Sequence, residues 1–220
     1  MLQLDNRSIQ QAIQKIQREY SYVSGDLLNQ AVSRALNRSA STGRTLSNQQ
    51  IRKKYALSAS KINNEIRVVQ SNKNTLEAKI IASGKPLSLN YFGAKQELKS
   101  GTTNFNSRGV ASSRLNRKSR SNAKKGVTAT ITKGKTINLP TAFIQVANGG
   151  ITVFARGKHK GTSQGFEFMK ARMPIESMSS LSIPMMFVNK DVLSPTEKAV
   201  TEVLSKRIEH EIGWLLQKIG

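Results

Sequence analysis

Lys61-Ile62-Asn63-Asn64-Glu65-Ile66-Arg67-Val68-Val69-Gln70 is the stretch where the chain changes its hydrophobic period. Before Ile66, apolar residues recur at steps of three and four, the spacing of one helix face. After it they come in short alternating runs bounded by Gly, Pro and Asn, the pattern of half-buried strands. Upstream, Ile9, Ala12, Ile13, Ile16, Tyr20, Val23, Leu27, Ala31, Val32, Ala35 and Leu36 predict an amphipathic helix from about Asn6 to Ala40. Asp5 is its candidate N-cap, Gly25 its weak point, and Ser41-Thr42-Gly43 its end. A short basic helix is expected from Ser47 to Tyr55, and Ser58 or Ser60 can cap another around Lys61 to Glu65. Downstream, strands are predicted at Arg67–Gln70, Leu76–Ile81, Leu87–Phe92, Val127–Ile131, Ala142–Val146 and Ile151–Arg156. Turns at Asn72-Lys73-Asn74, Ser83-Gly84-Lys85-Pro86, Lys133-Gly134-Lys135 and Asn148-Gly149-Gly150 are short enough to predict antiparallel pairing.

The last segment returns to helical spacing. Ser194-Pro195-Thr196-Glu197 has the form of a capping box, and Ala199, Val200, Val203, Leu204, Ile208, Ile212, Leu215 and Leu216 form one apolar stripe. The expected fold class is α+β: a long N-terminal helix and short helices, a small antiparallel sheet or barrel-like meander, and a long C-terminal amphipathic helix. The expected divisions are a helical region over 1–65, a β region over 66–193 with a flexible basic loop at about 100–123, and a helix over 194–220 packing on the sheet. Together they would make one structural domain.

Charge narrows the function classes. The 220 residues hold 35 Lys+Arg against 13 Asp+Glu, a formal net charge of +22. Residues 1–97 carry 15 bases and 6 acids, residues 98–166 carry 13 bases and no acid, and residues 167–220 carry 7 of each. A stretch with no carboxylate cannot neutralise itself, so a polyanionic or acidic partner is expected. Its densest part is Arg108, Arg114, Arg117, Lys118, Arg120, Lys124 and Lys125, set in Gly, Ser, Asn and Thr. The plain alternative is a solvated loop that serves solubility. No aromatic residue lies between Phe105 and Phe143, so contact there would be of phosphate type, salt-sensitive and without sequence preference. Zero cysteines exclude disulfides and thiolate sites, and two histidines are too few for a histidine zinc site. No apolar run approaches the ~18 residues of a membrane span, and the N-terminus lacks a signal-peptide pattern, so a soluble protein made inside the cell is expected.

No constellation carries catalysis. Gly134-Lys135-Thr136 lacks the glycine five residues earlier that a phosphate loop requires, because Ala129 stands there. Gly157-Lys158-His159-Lys160-Gly161 reads as a hairpin tip, and His210 as a solvent-exposed histidine. Asp191, Glu197, Glu202, Glu209 and Glu211 read as the wet face of the last helix. Trp214 reads as a core or subunit anchor, and Met169, Met173, Met178, Met185 and Met186 as an adaptable packing surface. An enzyme would need a pair such as Glu65 and Glu77 to converge on a metal. No catalytic residue, cofactor site or metal site is therefore assigned. Two short helices at Ser47–Tyr55 and Ser60–Asn64 have the outline of a helix-turn-helix, but the second is too short for a recognition helix.

The order of motifs resembles the minor tail protein Z family of tailed bacteriophages and prophages. Ala35-Leu36-Asn37-Arg38-Ser39-Ala40 leading through Gly43-Arg44-Thr45 to Ile51-Arg52-Lys53-Lys54-Tyr55 is similar to the family's N-terminal signature. Ser83-Gly84-Lys85-Pro86, Ala142-Phe143-Ile144 with Val153-Phe154-Ala155-Arg156, and Arg172-Met173-Pro174-Ile175 before Ile183-Pro184-Met185-Met186-Phe187 resemble its later passages, so that the likeness runs from about Val32 to Phe187. The resemblance implies a structural virion protein at the head-proximal end of the tail. It would be a tail-completion or neck protein made in the host cytoplasm, forming a homo-oligomeric, hexameric ring. Its implied partners are the tail tube or tail terminator protein, head connector proteins and genomic DNA, with no membrane. The surfaces expected to meet DNA or an acidic partner are Arg108 to Lys125 and the hairpin of Arg156, Lys158 and Lys160, with Arg52, Lys53 and Lys54 as a secondary basic surface. The alternative is a free, sequence-nonspecific nucleic-acid-binding protein.

Overall fold

The computed structural model describes residues 23–98, 101–103, 124–147, 150–156, 159–162, 165–168 and 175–219, with Gln14 and Arg18. It has the expected α+β class. The described chain falls into two compact units, each treated by itself. The first takes its residues from Met1–Arg52, Ala59–Gly84 and Ile183–Gly220, and the second from Lys53–Ser58 and Lys85–Ser182.

Helix α1 spans Gly25–Lys54. Gln14 and Arg18 are helical, and the other residues before Val23, with the expected Asp5 cap, lie outside the described residues. The helix expected from Asn6 is interrupted at Val23-Ser24, next to the weak point at Gly25, where α1 begins with the Ser24 carbonyl accepting from the Leu27 and Leu28 amides at 3.0 and 3.2 Å. Leu28, Ala31, Val32, Ala35, Leu36, Ala40 and Ile51 share its buried face. The helix runs straight through Ser41-Thr42-Gly43, where an end was expected. The hydroxyls there do not compete for the backbone as caps do. Ser41, Thr42 and Ser47 donate to the carbonyls of Asn37, Arg38 and Gly43, each one turn back, at 2.9, 3.0 and 2.6 Å. Gly43 is required by close packing rather than by a turn. A Cβ there would lie 2.7 Å from Ile80 Cδ1 and 2.8 Å from Val200 Cγ2.

After α1 come α2 (Ala59–Glu65) and the antiparallel hairpin of β1 (Ile66–Val69) and β2 (Lys79–Ala82). The intervening turn is built by Asn72, whose Oδ1 accepts from the Asn74 and Thr75 amides at 2.9 and 2.7 Å. Asn37 of α1 clamps the end of the hairpin: its side-chain amide donates to the Ser71 carbonyl at 2.9 Å and its oxygen accepts from the Ser71 amide at 2.7 Å.

The unit closes with α3 (Ile183–Val188) and α4 (Lys190–Ile219). The expected capping box at Ser194 is not the start of α4. Asn189 is the cap, its Oδ1 accepting from the Asp191 amide at 3.1 Å and its carbonyl from Val192 and Leu193 at 2.9 and 2.8 Å. Pro195 is accommodated inside the helix. Leu204 packs with Val32, Ala35 and Leu36, while Leu215 packs with Val23, Leu28 and Ala31, so α4 lies antiparallel along α1.

Among its described residues the second unit holds strands, one turn of 3-10 helix and, at Lys53 and Lys54, the end of α1. Strand β3 (Lys95–Leu98), β4 (Gly101–Thr103), β5 (Lys124–Thr132) and β6 (Lys135–Leu139) form a sheet in the order β4-β3-β5-β6. Strand β7 (Ala142–Ala147), β8 (Gly150–Arg156) and β11 (Ile175–Ser177) form a second in the order β11-β8-β7. Strand β9 (His159–Thr162) pairs with β10 (Gly165–Phe168). All pairings are antiparallel, as expected.

The strand expected at Leu87–Phe92 is instead a 3-10 helix over Leu89–Phe92, capped by Ser88 and ended by Gly93 at φ 65°. Leu89 and Phe92, three residues apart, fall on one face of such a helix, and both are buried. The joint of the unit is Gln96 on β3. Fully buried, it donates to the Gly126 carbonyl of β5 and accepts from the Ile144 amide of β7 at 2.9 Å, tying the two sheets together. Gly126 has φ 126°, and a Cβ there would sit 2.5 Å from the Leu139 carbonyl oxygen.

Candidate interaction surfaces

Among the described residues no group of three or more His, Asp and Glu is placed to hold a metal, and no helix is long and apolar enough to cross a membrane. Glu65 and Glu77 do not form a shared site. Glu65 pairs with Lys61 at 3.0 Å and Glu77 with Lys79 at 3.2 Å. Gly134-Lys135-Thr136 is a hairpin turn, Gly134 taking φ 79° between β5 and β6. His210 is exposed, as expected.

The basic residues fall into three groups. Arg52 and Lys53 are exposed at the C-terminal end of α1, where the helix dipole favours cations. Lys54 is half-buried, its ammonium 5.9 Å from the Tyr55 ring centroid, and its carbonyl accepts from the Lys133 amide at 2.9 Å. Lys124 and Lys125 open β5, and Arg156 ends β8 opposite Ile175 of β11. Arg108, Arg114, Arg117, Lys118, Arg120 and Lys158 lie outside the described residues, as does most of the loop expected at 100–123. Its beginning, Gly101–Thr103, is strand β4. The expected tip at 157–161 is corrected in part: His159, Lys160 and Gly161 belong to β9, where Lys160 stands opposite Glu167 of β10 in the backbone register.

Two arrangements in the first unit escaped the sequence reading. Glu211 was assigned to the wet face of the last helix, yet it is buried and takes Arg34 Nε at 2.7 Å and Arg38 at 3.3 Å from α1. Its position, three residues after Ile208 and four before Leu215, puts it on the apolar stripe, and the Arg34/Arg38 spacing of four puts both cations on one face of α1. Those spacings were the available signal. Beside them Trp214 is about half exposed (47%), with the Arg34 guanidinium and the Lys218 ammonium each 5.3 Å from its ring. Its indole is thus a surface group flanked by cations, not core.

The second arrangement is a groove of about 670 Å³ lined by Ser41, Arg44 and Thr45 of α1, Asn63 and Asn64 of α2, Ile66, Arg67 and Val68 of β1, and Gln70 just after it. Arg44 donates to the Asn63 carbonyl at 2.8 Å, and Asn48 holds α2 by donating to the Ala59 carbonyl at 2.9 Å and the Asn63 oxygen at 2.8 Å. These bonds fix α2 beside α1, and α2 has seven residues with Ile62 fully buried. Nothing in that geometry presents it as a recognition helix.

The family model described as prophage minor tail protein Z matches residues 7–219. The chain belongs to that family. Members are structural proteins of the phage tail, and the match reaches beyond the Val32–Phe187 span on which the motifs rested. No curated protein and no solved structure matches the chain. Several motifs that carried the likeness now have structural duties in this minor tail protein Z family member. Asn37 clamps the β1–β2 hairpin, Gly43 admits Ile80 and Val200 to the helix backbone, and Phe143 and Phe154 stack across β7 and β8 with centroids 5.9 Å apart. The methionines divide: Met178 and Met186 are buried, Met185 is exposed, and Met169 and Met173 lie outside the described residues.

Proposed function

We propose that this minor tail protein Z family member is a tail-completion protein. It assembles as a homo-oligomeric ring, hexameric by family resemblance, at the head-proximal end of the tail. There it contacts the tail tube or terminator on one side and head connector proteins on the other, and helps position the genome end. Family membership over residues 7–219 carries this reading. The charge distribution supports it. A ring multiplies the net +22 of each subunit, and the acid-free stretch 98–166 offers that charge to DNA or to an acidic neighbour. Arg108, Arg114, Arg117, Lys118, Arg120, Lys124, Lys125, Arg156, Lys158 and Lys160 are the proposed contact residues, with Arg52, Lys53 and Lys54 secondary. The protein acts by assembly and catalyses no reaction.

Cryo-electron microscopy of the head–tail junction in purified particles tests the placement: density for a ring of this chain at the head-proximal end is expected, and its location elsewhere on the tail would overturn the neck assignment. Alanine at Arg114, Arg117, Lys118 and Arg120 together should leave tails formed but reduce head joining or DNA retention. Normal infectious yield from that variant would remove the loop from the mechanism.

A further inference from the structure

One shoulder of the α1–α4 pair in the first unit carries an exposed indole among cations. On α4, Arg207, His210, Trp214 and Lys218 follow one another at steps of three, four and four, so they share a face, and all four are exposed. On α1, Arg34 and Arg38 reach that face through Glu211, and the exposed Leu27 stands two turns before Arg34 on the same side of its helix. Glu211 is buried and divided between Arg34 and Arg38. Among the described residues Arg207 and Lys218 have no ion pair. Glu202 and Glu209, twelve and five positions before Trp214, project from other sides of α4, and Asp26 is turned to Lys73 at 3.6 Å. Four cations thus face one carboxylate.

The indole is positioned by two of those cations. Arg34 and Lys218 each stand over the ring, 5.3 Å from its centroid, where a cation is drawn to the negative face. Its N–H has no acceptor among the described residues, and on a half-exposed side chain that donor is left to water or to a partner. A stacking nucleobase competes with the two cations for the ring, whereas a carboxylate adds to them. We infer that this shoulder is the docking surface for an acidic segment of another protein, with Trp214 as its anchor. One carboxylate would accept from the indole N–H, others would pair with Arg207 and Lys218, and an apolar side chain would cover Leu27. The occupant's charge follows from complementarity: this chain has 35 bases to 13 acids, so a second copy brings repulsion where an acidic partner brings attraction. The inference does not depend on a neck ring, and either can fail without the other.

Trp214 is the single tryptophan of the chain, so its emission reports this surface alone. The test titrates the full chain with a dye-labelled peptide of glutamates around a central leucine, following both the tryptophan emission and the anisotropy of the dye. Bound peptide should move the emission to shorter wavelength, and Arg207→Glu with Lys218→Glu should weaken binding about tenfold. Trp214→Phe keeps a ring for Arg34 and Lys218 but removes the N–H, and should weaken binding about tenfold by anisotropy. The two glutamate substitutions change exposed side chains and keep the test decisive if the phenylalanine variant fails to fold. Charge and the indole are the determinants invoked, so absence of binding, or binding that leaves the emission unmoved, overturns the proposal. So does equal binding of the same peptide with lysine in place of glutamate, tighter binding of a single-stranded oligothymidylate, or an emission shift on concentrating the protein alone, which reports a second copy on this surface.

Discussion

Replacing Gln96 with methionine should loosen the second unit at a single point. Methionine matches glutamine in length and, like it, is unbranched at Cβ and Cγ, so the buried site stays nearly filled while losing both polar contacts. The Gly126 carbonyl loses its donor and the Ile144 amide its acceptor, and the glutamine they shared is fully buried. Each orphaned group costs about 1–3 kcal/mol. The thioether regains part of this through apolar burial, of the order of 1–2 kcal/mol. At the middle of those ranges the net expectation is a loss of about 2.5 kcal/mol, a large share of a typical domain's stability. Denaturant unfolding followed by circular dichroism measures the loss, and hydrogen exchange at the Ile144 amide should accelerate with it. Gln96→Glu separates the two contacts, since it keeps the acceptor for Ile144 but turns an oxygen toward the Gly126 carbonyl. If Gln96→Met costs less than about 1 kcal/mol and Ile144 exchange is unchanged, Gln96 does not join the sheets as described.

Gly126→Ala should cost at least about 2 kcal/mol in a thermal or denaturant melt, because a left-handed backbone is strained for alanine and its Cβ would meet backbone atoms that cannot swing aside. Asn37→Ala removes both bonds to Ser71 and should cost about 1–3 kcal/mol, while Asn37→Asp, which retains the acceptor for the Ser71 amide, should recover part of it. Glu211→Gln keeps an acceptor for Arg34 but loses the charge. With Arg34 and Arg38 side chains 40% and 54% exposed, the loss should be only about 1 kcal/mol, and the gap to the parent should narrow in high salt.

The helix-to-strand switch at Ile66, the antiparallel hairpins and the terminal helix were legible because each is set by short-range periodicity and turn chemistry. Pro195, exposed, lies inside α4 because the Asn189 cap starts that helix earlier. Ser41, Thr42 and Gly43 are local helix punctuation that packing or a backward hydroxyl bond overrode. Leu87–Phe92 failed in the same way: its apolar residues suit a strand, but Leu89 and Phe92 are buried together from one turn of 3-10 helix. Of the candidate surfaces, Arg52 and Lys53 could be read as exposed from their place at a helix end. The spacing from Ile208 and Leu215 places Glu211 on the apolar stripe, but that a carboxylate is tolerated there depends on Arg34 and Arg38, 177 and 173 positions away.

Composition and spacing along the chain are enough for the α+β class, for the family through its ordered motifs, and for a net charge of +22 with an acid-free stretch at 98–166. What the tertiary structure alone decides is that Gly43 is a contact point, that Gln96 joins two sheets, and that Glu211 is held as an anion by Arg34 and Arg38. Each of those depends on which residues far apart in the chain become neighbours, and local periodicity and turn chemistry do not encode that.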